Sequence, residues 1–202
     1  PRLYLNVLYN GATWLKQRVE TNVGGLHTGM DGATKTGYYL RKHMNAQVSL
    51  NPVSPLGKEH HFPLFRYAEI LLNYAEAMYH WVGEDTKPTD YPYSAREALN
   101  LVRDCAEMKH VEETGNAFLE KLRNERRIEL AFEDHRFWDI RRWKTGEVVK
   151  NIYGVRITGT DTNFTYSKVL VRQNQWDDKM YLFPFPQEEL YMNENLVQNP
   201  DW

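Results

Sequence analysis

From Arg66 to Val82 the apolar residues Tyr67, Ile70, Leu71, Tyr74, Ala75, Met78 and Val82 recur at three- and four-residue steps, the spacing that lines one face of a helix. No other stretch constrains the fold as much. Pro63 stands ahead of it and Gly83 behind it, matching the start and stop chemistry of helices. A second helix is expected to open at Ser94. Ser94 and Glu97 have the spacing of a capping box, in which each side chain accepts the other's backbone N–H, and Ala98, Leu99, Val102 and Ala106 continue the stripe. The two helices make an αα-hairpin through a proline-containing loop. A third helix is expected from about Asn116, carrying Phe118, Leu119, Leu122, Ile128, Leu130 and Phe132, and a shorter one over Arg136 to Trp143.

The two ends differ from this helical middle. Residues 1 to 62 hold Gly11, Gly24, Gly25, Gly29, Gly32 and Gly37, so loops with a few short strands are expected, among them Leu3 to Tyr9 and Tyr38 to Leu40. After Gly146, Ile152 to Ile157 and Val169 to Val171 read as a small β-hairpin whose turn chemistry comes from Asp161, Thr162 and Asn163. The tail from Leu182 is rich in proline and asparagine and is expected to wrap the outside. The fold expected is mainly α, with tetratricopeptide-like helix pairs, loop-rich regions and a small β-hairpin, in one compact unit of 202 residues.

Several function classes drop out. The net charge of −2 leaves no basic excess to gather phosphates, so nucleic acid is not an expected partner. The apolar run Ile70-Leu71-Leu72 is far shorter than the roughly 20 residues of a membrane span. Cys105, the only cysteine, allows no internal disulfide, and its neighbours Leu101, Val102 and Ala106 suggest a buried thiol. The histidines show no metal-ligand spacing, with His60 and His61 adjacent in what reads as a surface loop. The Gly24-Gly25 cluster lacks the lysine and hydroxyl of a phosphate loop, and no serine sits in a G-x-S-x-G setting. No cofactor, metal or catalytic nucleophile is expected.

The densest run is Arg123 to Trp143. Carried along a helix, the stripe Leu119 and Leu122 continues to Arg126, Leu130 and Glu133, so charges interrupt a core-facing row and need partners. Arg126 with Glu129, Glu133 with Arg136, and Asp139 with Arg142 each stand three apart, where helical neighbours meet. A catalytic reading would pair Glu129 with Glu133 as acid and base, helped by His135. A partly buried ion-pair network that fixes packing is preferred, because every carboxylate has an arginine within reach.

Aromatic residues make up 13% of the chain, with six tryptophans and thirteen tyrosines. Flat rings stack on the apolar faces of sugars, so this content suits carbohydrate recognition. The same rings also fill cores. Tyr67, Tyr74, Trp138 and Trp143 lie on helical stripes and read as packing. Trp14 and Trp176 lie in polar loop contexts and are the candidate ligand-binding rings, each otherwise a structural plug.

One ordered set of segments carries a family resemblance: Arg66 to Ala77, Ala98 to Arg103, Glu125 to Glu133 with His135 to Trp143, and Tyr181 to Pro186 closing on Gln198 to Trp202. Pro1-Arg2-Leu3 and Thr36 to Lys42 belong to the same set. Together they resemble the C-terminal region of SusD/RagB proteins. The resemblance implies a helix-pair protein held on the outer face of the outer membrane by a lipid anchor on an upstream cysteine, which is not in this chain. It implies that residues 1–202 are a fragment lacking an N-terminal helical part. It also implies a non-enzymatic protein that binds glycans or oligosaccharides and delivers them to a SusC-like TonB-dependent transporter. The alternative is a helical protein-interaction scaffold without glycan binding. No binding residue is transferred by motif.

Overall fold

The computed structural model describes residues 2–49, 51–160 and 163–202. In chain order its helices are α1 (Arg2–Asn6), α2 (Tyr67–Val82), α3 (Ala95–Cys105), α4 (Gly115–Glu129), α5 (His135–Arg142) and α6 (Gln187–Met192). Its strands are β1 (Val7–Leu8), β2 (Thr13–Trp14), β3 (Gln17–Arg18), β4 (Tyr39–Leu40), β5 (Asn151–Thr160) and β6 (Asn163–Gln173). The fold is mainly α and its helix pairs are tetratricopeptide-like. The expected single body divides into two compact units, residues 1–8 with 40–136 and residues 9–39 with 137–202.

In the first unit α2 packs on α3 and on α4. Leu71, Leu72, Ala75 and Met78 of α2 meet Ala98, Leu99 and Val102 of α3 and Phe118 and Leu122 of α4 in one apolar core. The capping box opens α3 as its spacing predicts: Glu97 N–H donates to Ser94 Oγ at 3.1 Å and Ser94 N–H to the Glu97 carboxylate at 2.8 Å. Gly83 ends α2 at φ 88°, a left-handed value that glycine adopts without strain.

The third helix is shorter than its stripe suggested. It stops at Glu129, and Phe132 and Asp134 both take positive φ, 66° and 63°. Glu133 therefore sits in a turn and Phe132 is exposed. Residues 3 to 9, expected as a strand, are mostly the short helix α1. Cys105 is exposed: it is the last residue of α3, and Glu107 at φ 53° turns the chain away.

The second unit is built around the antiparallel hairpin β5–β6, paired from Asn151↔Gln173 to Thr160↔Asn163 with a register shift at Ile152/Tyr153. The expected turn residues Asp161 and Thr162, like Pro1, lie outside the described residues. The segment before β4 packs close against β5: Val155 N–H donates to Thr36 C=O at 2.9 Å, and a Cβ on Gly154 would lie 2.7 Å from Thr36 Cα. β2 and β3 form a minimal hairpin, Trp14↔Gln17. Its central residues Leu15 and Lys16 both have positive φ, 49° and 64°, the geometry of a type I′ turn.

Candidate functional site

The charged run resolves into a series of ion pairs within the first unit, and the partners come from outside α4. Arg103 holds one oxygen of Glu125 at 2.5 Å and Arg2 holds the other. Arg2 also reaches Glu129 at 2.7 Å, Arg66 bonds Glu129 at 2.7 Å and Glu133 at 2.6 Å, and Lys42 closes on the second oxygen of Glu133. Charges thus alternate from Arg103 through Glu125, Arg2, Glu129, Arg66 and Glu133 to Lys42. The Glu125 side chain is only 1% exposed. Lys42 Nζ donates further to the C=O groups of Glu129 and Ala131, at 3.1 and 3.0 Å, which are freed where α4 ends.

Two of the expected three-residue pairs are corrected by this geometry. Glu129 and Glu133 take Arg2, Arg66 and Lys42 in place of Arg126 and Arg136, because the helix stops between them and their side chains turn toward α1 and the segment before α2. Arg126 is buried and donates to Asn73 Oδ1 at 2.6 Å. Arg136 is half-buried at the start of α5, where His135 faces Glu69 at 3.6 Å. Asp139 does accept from Arg142, at 2.8 Å. Arg2, Lys42, Arg66, Arg103 and Glu125 were missed, since pairing across 123 residues, as in Arg2 with Glu125, leaves no spacing signal.

A cavity of about 550 Å³ opens beside this cluster, lined in part by Arg2, Lys42, His43, Arg66 and Cys105. Burial alone would push the Glu129 and Glu133 carboxyls up. The hydrogen bonds and charges of Arg66, with Arg2 on the first and Lys42 on the second, outweigh it and hold both below the ordinary carboxylate value. Both stay ionised at neutral pH, so neither has a proton to give as a general acid.

The rings sort differently from their expected places. Trp14 and Trp176 are both half-buried in the second unit and are not in ring contact with each other among the described residues. Trp176 meets Tyr181 edge-on at 5.2 Å and lies so close over Gly146 that a Cβ there would overlap the indole. Gly146 N–H donates to Tyr181 Oη at 2.9 Å beside them. Trp138, expected as packing, is 58% exposed. On α5 it is Asp139 and Ile140 that turn inward, with Phe137 and Trp138 outward and Arg141 half-buried; a buried carboxylate in the inward row hid that row from a hydrophobic reading.

Phe137 and Trp138 belong to one exposed aromatic surface of the second unit. Phe137 and Trp138 meet edge-to-face at 5.0 Å, and Phe183, itself 54% exposed, lies 6.0 Å from Phe137 and 6.1 Å from Trp138. The Arg141 guanidinium sits 3.6 Å from the Phe137 ring centroid and 5.4 Å from that of Trp176. It donates to Phe137 C=O at 3.0 Å, and no carboxylate among the described residues pairs with it. Rings with a guanidinium that still has N–H groups to give are equipped to bind a polar, ring-shaped ligand.

Paired carboxylates and a surface of exposed rings are carried on a fold of tetratricopeptide-like helix pairs. The chain belongs to the SusD family, whose family model matches residues 1–202. It is 32% identical to SusD-like protein P2 of Formosa agariphila over 138 residues, 66% of this chain and 24% of that protein. A crystal structure of a SusD-like protein from Bacteroides fragilis is similar over 100% of this chain and 39% of its own, with TM-score 0.81 and 29% identity. Surface glycan-binding protein A from Bacteroides thetaiotaomicron overlaps more loosely, with TM-score 0.47 and 24% identity over 82% of this chain and 31% of its own. The chain thus spans about a quarter of the curated relative's length and 39% of the solved relative's.

Proposed function

We propose that this chain is part of a non-enzymatic glycan-binding protein of the cell surface, a lipoprotein of the outer membrane that delivers oligosaccharides to a SusC-like TonB-dependent transporter. The observation that carries the binding reading is the exposed surface of Trp138, Phe137 and Phe183 with Arg141 beside it. Sugar rings stack on such faces through their C–H groups while a guanidinium takes their hydroxyl oxygens. Family membership supports the same reading. Trp176, behind Arg141, serves as a buttress; Trp14, beside the exposed turn Leu15-Lys16, is a second contact ring.

The test is an oligosaccharide array on the complete gene product, followed by calorimetry with the best ligand. Trp138→Ala is expected to weaken binding several-fold to about tenfold with an unchanged melting temperature. The scale is that of an aromatic contact, about 0.5–1.5 kcal/mol, against 1.4 kcal/mol per tenfold in affinity. Trp14→Ala is expected to weaken it less. No glycan binding, or binding indifferent to both variants, would leave the scaffold alternative, in which the helix pairs serve protein contacts alone.

A further inference from the structure

Arg2, Arg66, Arg96, Arg103 and Arg142 each hold a carboxylate oxygen. Arg141, half-buried at the end of α5, holds none among the described residues. The carboxylates close to it in sequence are engaged elsewhere: Asp139 by Arg142 and Glu147 by Lys150, each at 2.8 Å, while the charges of Asp177 and Asp178 bear on Lys150. Its surroundings are rings. The guanidinium carbon lies 3.6 Å from the Phe137 centroid, 5.3 Å from that of Phe183 and 5.4 Å from that of Trp176. Ring faces attract a cation, but they do not serve its in-plane N–H groups. Only Nη1 has an acceptor among the described residues, Phe137 C=O at 3.0 Å, and Nε is buried without one. Burial accordingly pulls this guanidinium below its ordinary pKa, whereas Arg2, Arg66 and Arg96, beside their carboxylates, are raised.

We infer that the sugar bound at this surface carries an anionic substituent, a uronate carboxylate or a sulfate ester, which pairs with Arg141 while Phe137, Trp138 and Phe183 stack on the sugar ring. The inference rests on the glycan reading of the same surface. Contact with the Phe137 ring and the bond to its C=O hold the guanidinium in place, so its remaining N–H groups form a fixed fork. Carboxylates and sulfates match such a fork and bring acceptors only, together with a full negative charge. A neutral hydroxyl is a donor as well as an acceptor and brings no charge. A cation partly out of water and lacking a counter-charge is costly, and an anion that arrives with the ligand removes that cost. Phe137, Trp138 and Phe183 are 45%, 58% and 54% exposed, which lets one ligand meet the rings and the charge together.

The test titrates matched probes into the complete gene product by calorimetry: an oligogalacturonate and its carboxyl-reduced neutral form, and a sulfated carrageenan oligosaccharide and its desulfated form. One anionic probe should bind about tenfold more tightly than its neutral counterpart, as a single charge-assisted hydrogen-bonded contact allows, and lose that advantage as sodium chloride is added. Which pair shows the difference tells carboxylate from sulfate. Arg141→Gln should abolish the difference while leaving affinity for the neutral form within about twofold. Arg141→Lys, which keeps the charge without the planar fork, should retain part of it. The preference is read first on wild type, so a variant that folds poorly does not shield the inference. Equal affinity for charged and neutral forms, a neutral glycan as the best ligand on the oligosaccharide array, or a preference that survives Arg141→Gln would overturn it and leave the glycan reading standing. Binding to no sugar at all would overturn both.

Discussion

Glu133 has both carboxylate oxygens occupied, one by Lys42 and one by Arg66, in a side chain that is almost wholly buried. Removing one member of such a pair leaves charge buried without compensation, at a cost of about 3–5 kcal/mol. Glu133→Ala is therefore expected to lower the unfolding free energy on that scale, read from urea melts near neutral pH, with glycan affinity unchanged. Acid makes the same point reversibly. A carboxyl whose pKa is lower folded than unfolded stabilises the fold above its unfolded value, and that contribution is lost as pH falls through the folded value. Glu129 and Glu133 are both held below the ordinary 4.5, so wild type should lose stability on acidification below about that pH. Glu133→Ala should lose less. A variant as stable as wild type, or one equally acid-sensitive, would mean that the cluster does not support the fold.

Among the elements, those governed by local chemistry were legible. The α2 stripe, its glycine stop and the Ser94–Glu97 box appear as their spacing predicts, because each depends on residues no more than one or two turns apart. Ser94→Ala removes the acceptor for Glu97 N–H and should cost about 1 kcal/mol, within 0.5–2, seen as a lower denaturation midpoint with an unchanged slope. No loss would mean that the cap is redundant with the core behind it. What failed was legible only with tertiary knowledge. The sequence continues a helical stripe through Leu130 to Phe132, yet the chain turns at Leu130, since Lys42 and Arg66 take up the C=O of Glu129. The ring assignments failed likewise. Trp138 and Tyr67 occupy helical positions that hydrophobic periodicity assigns to a core, and only the packed neighbours reveal which of two apolar rows is covered.

At the scale of the whole molecule, the ion-pair series gathers residues 2, 42, 66, 103, 125, 129 and 133 into one place. By contrast, α2, α3 and α4 follow one another along the chain and find each other through short loops. These two kinds of closure differ in time as well as in space. The helix layer can assemble early, while the Arg2–Glu125 contact must close a loop of more than a hundred residues, whose entropy cost is met before any reward. Arg2 is therefore expected to fasten after the folding barrier has been crossed. Truncating it, in Arg2→Ala, should leave the refolding rate near wild type and speed unfolding, a φ-value near zero on a chevron plot. A refolding limb slowed in proportion to the lost stability would put that contact inside the folding nucleus. If it closes last, it also opens first, and the shelf life of the folded chain is set by that one contact rather than by the helices it fastens.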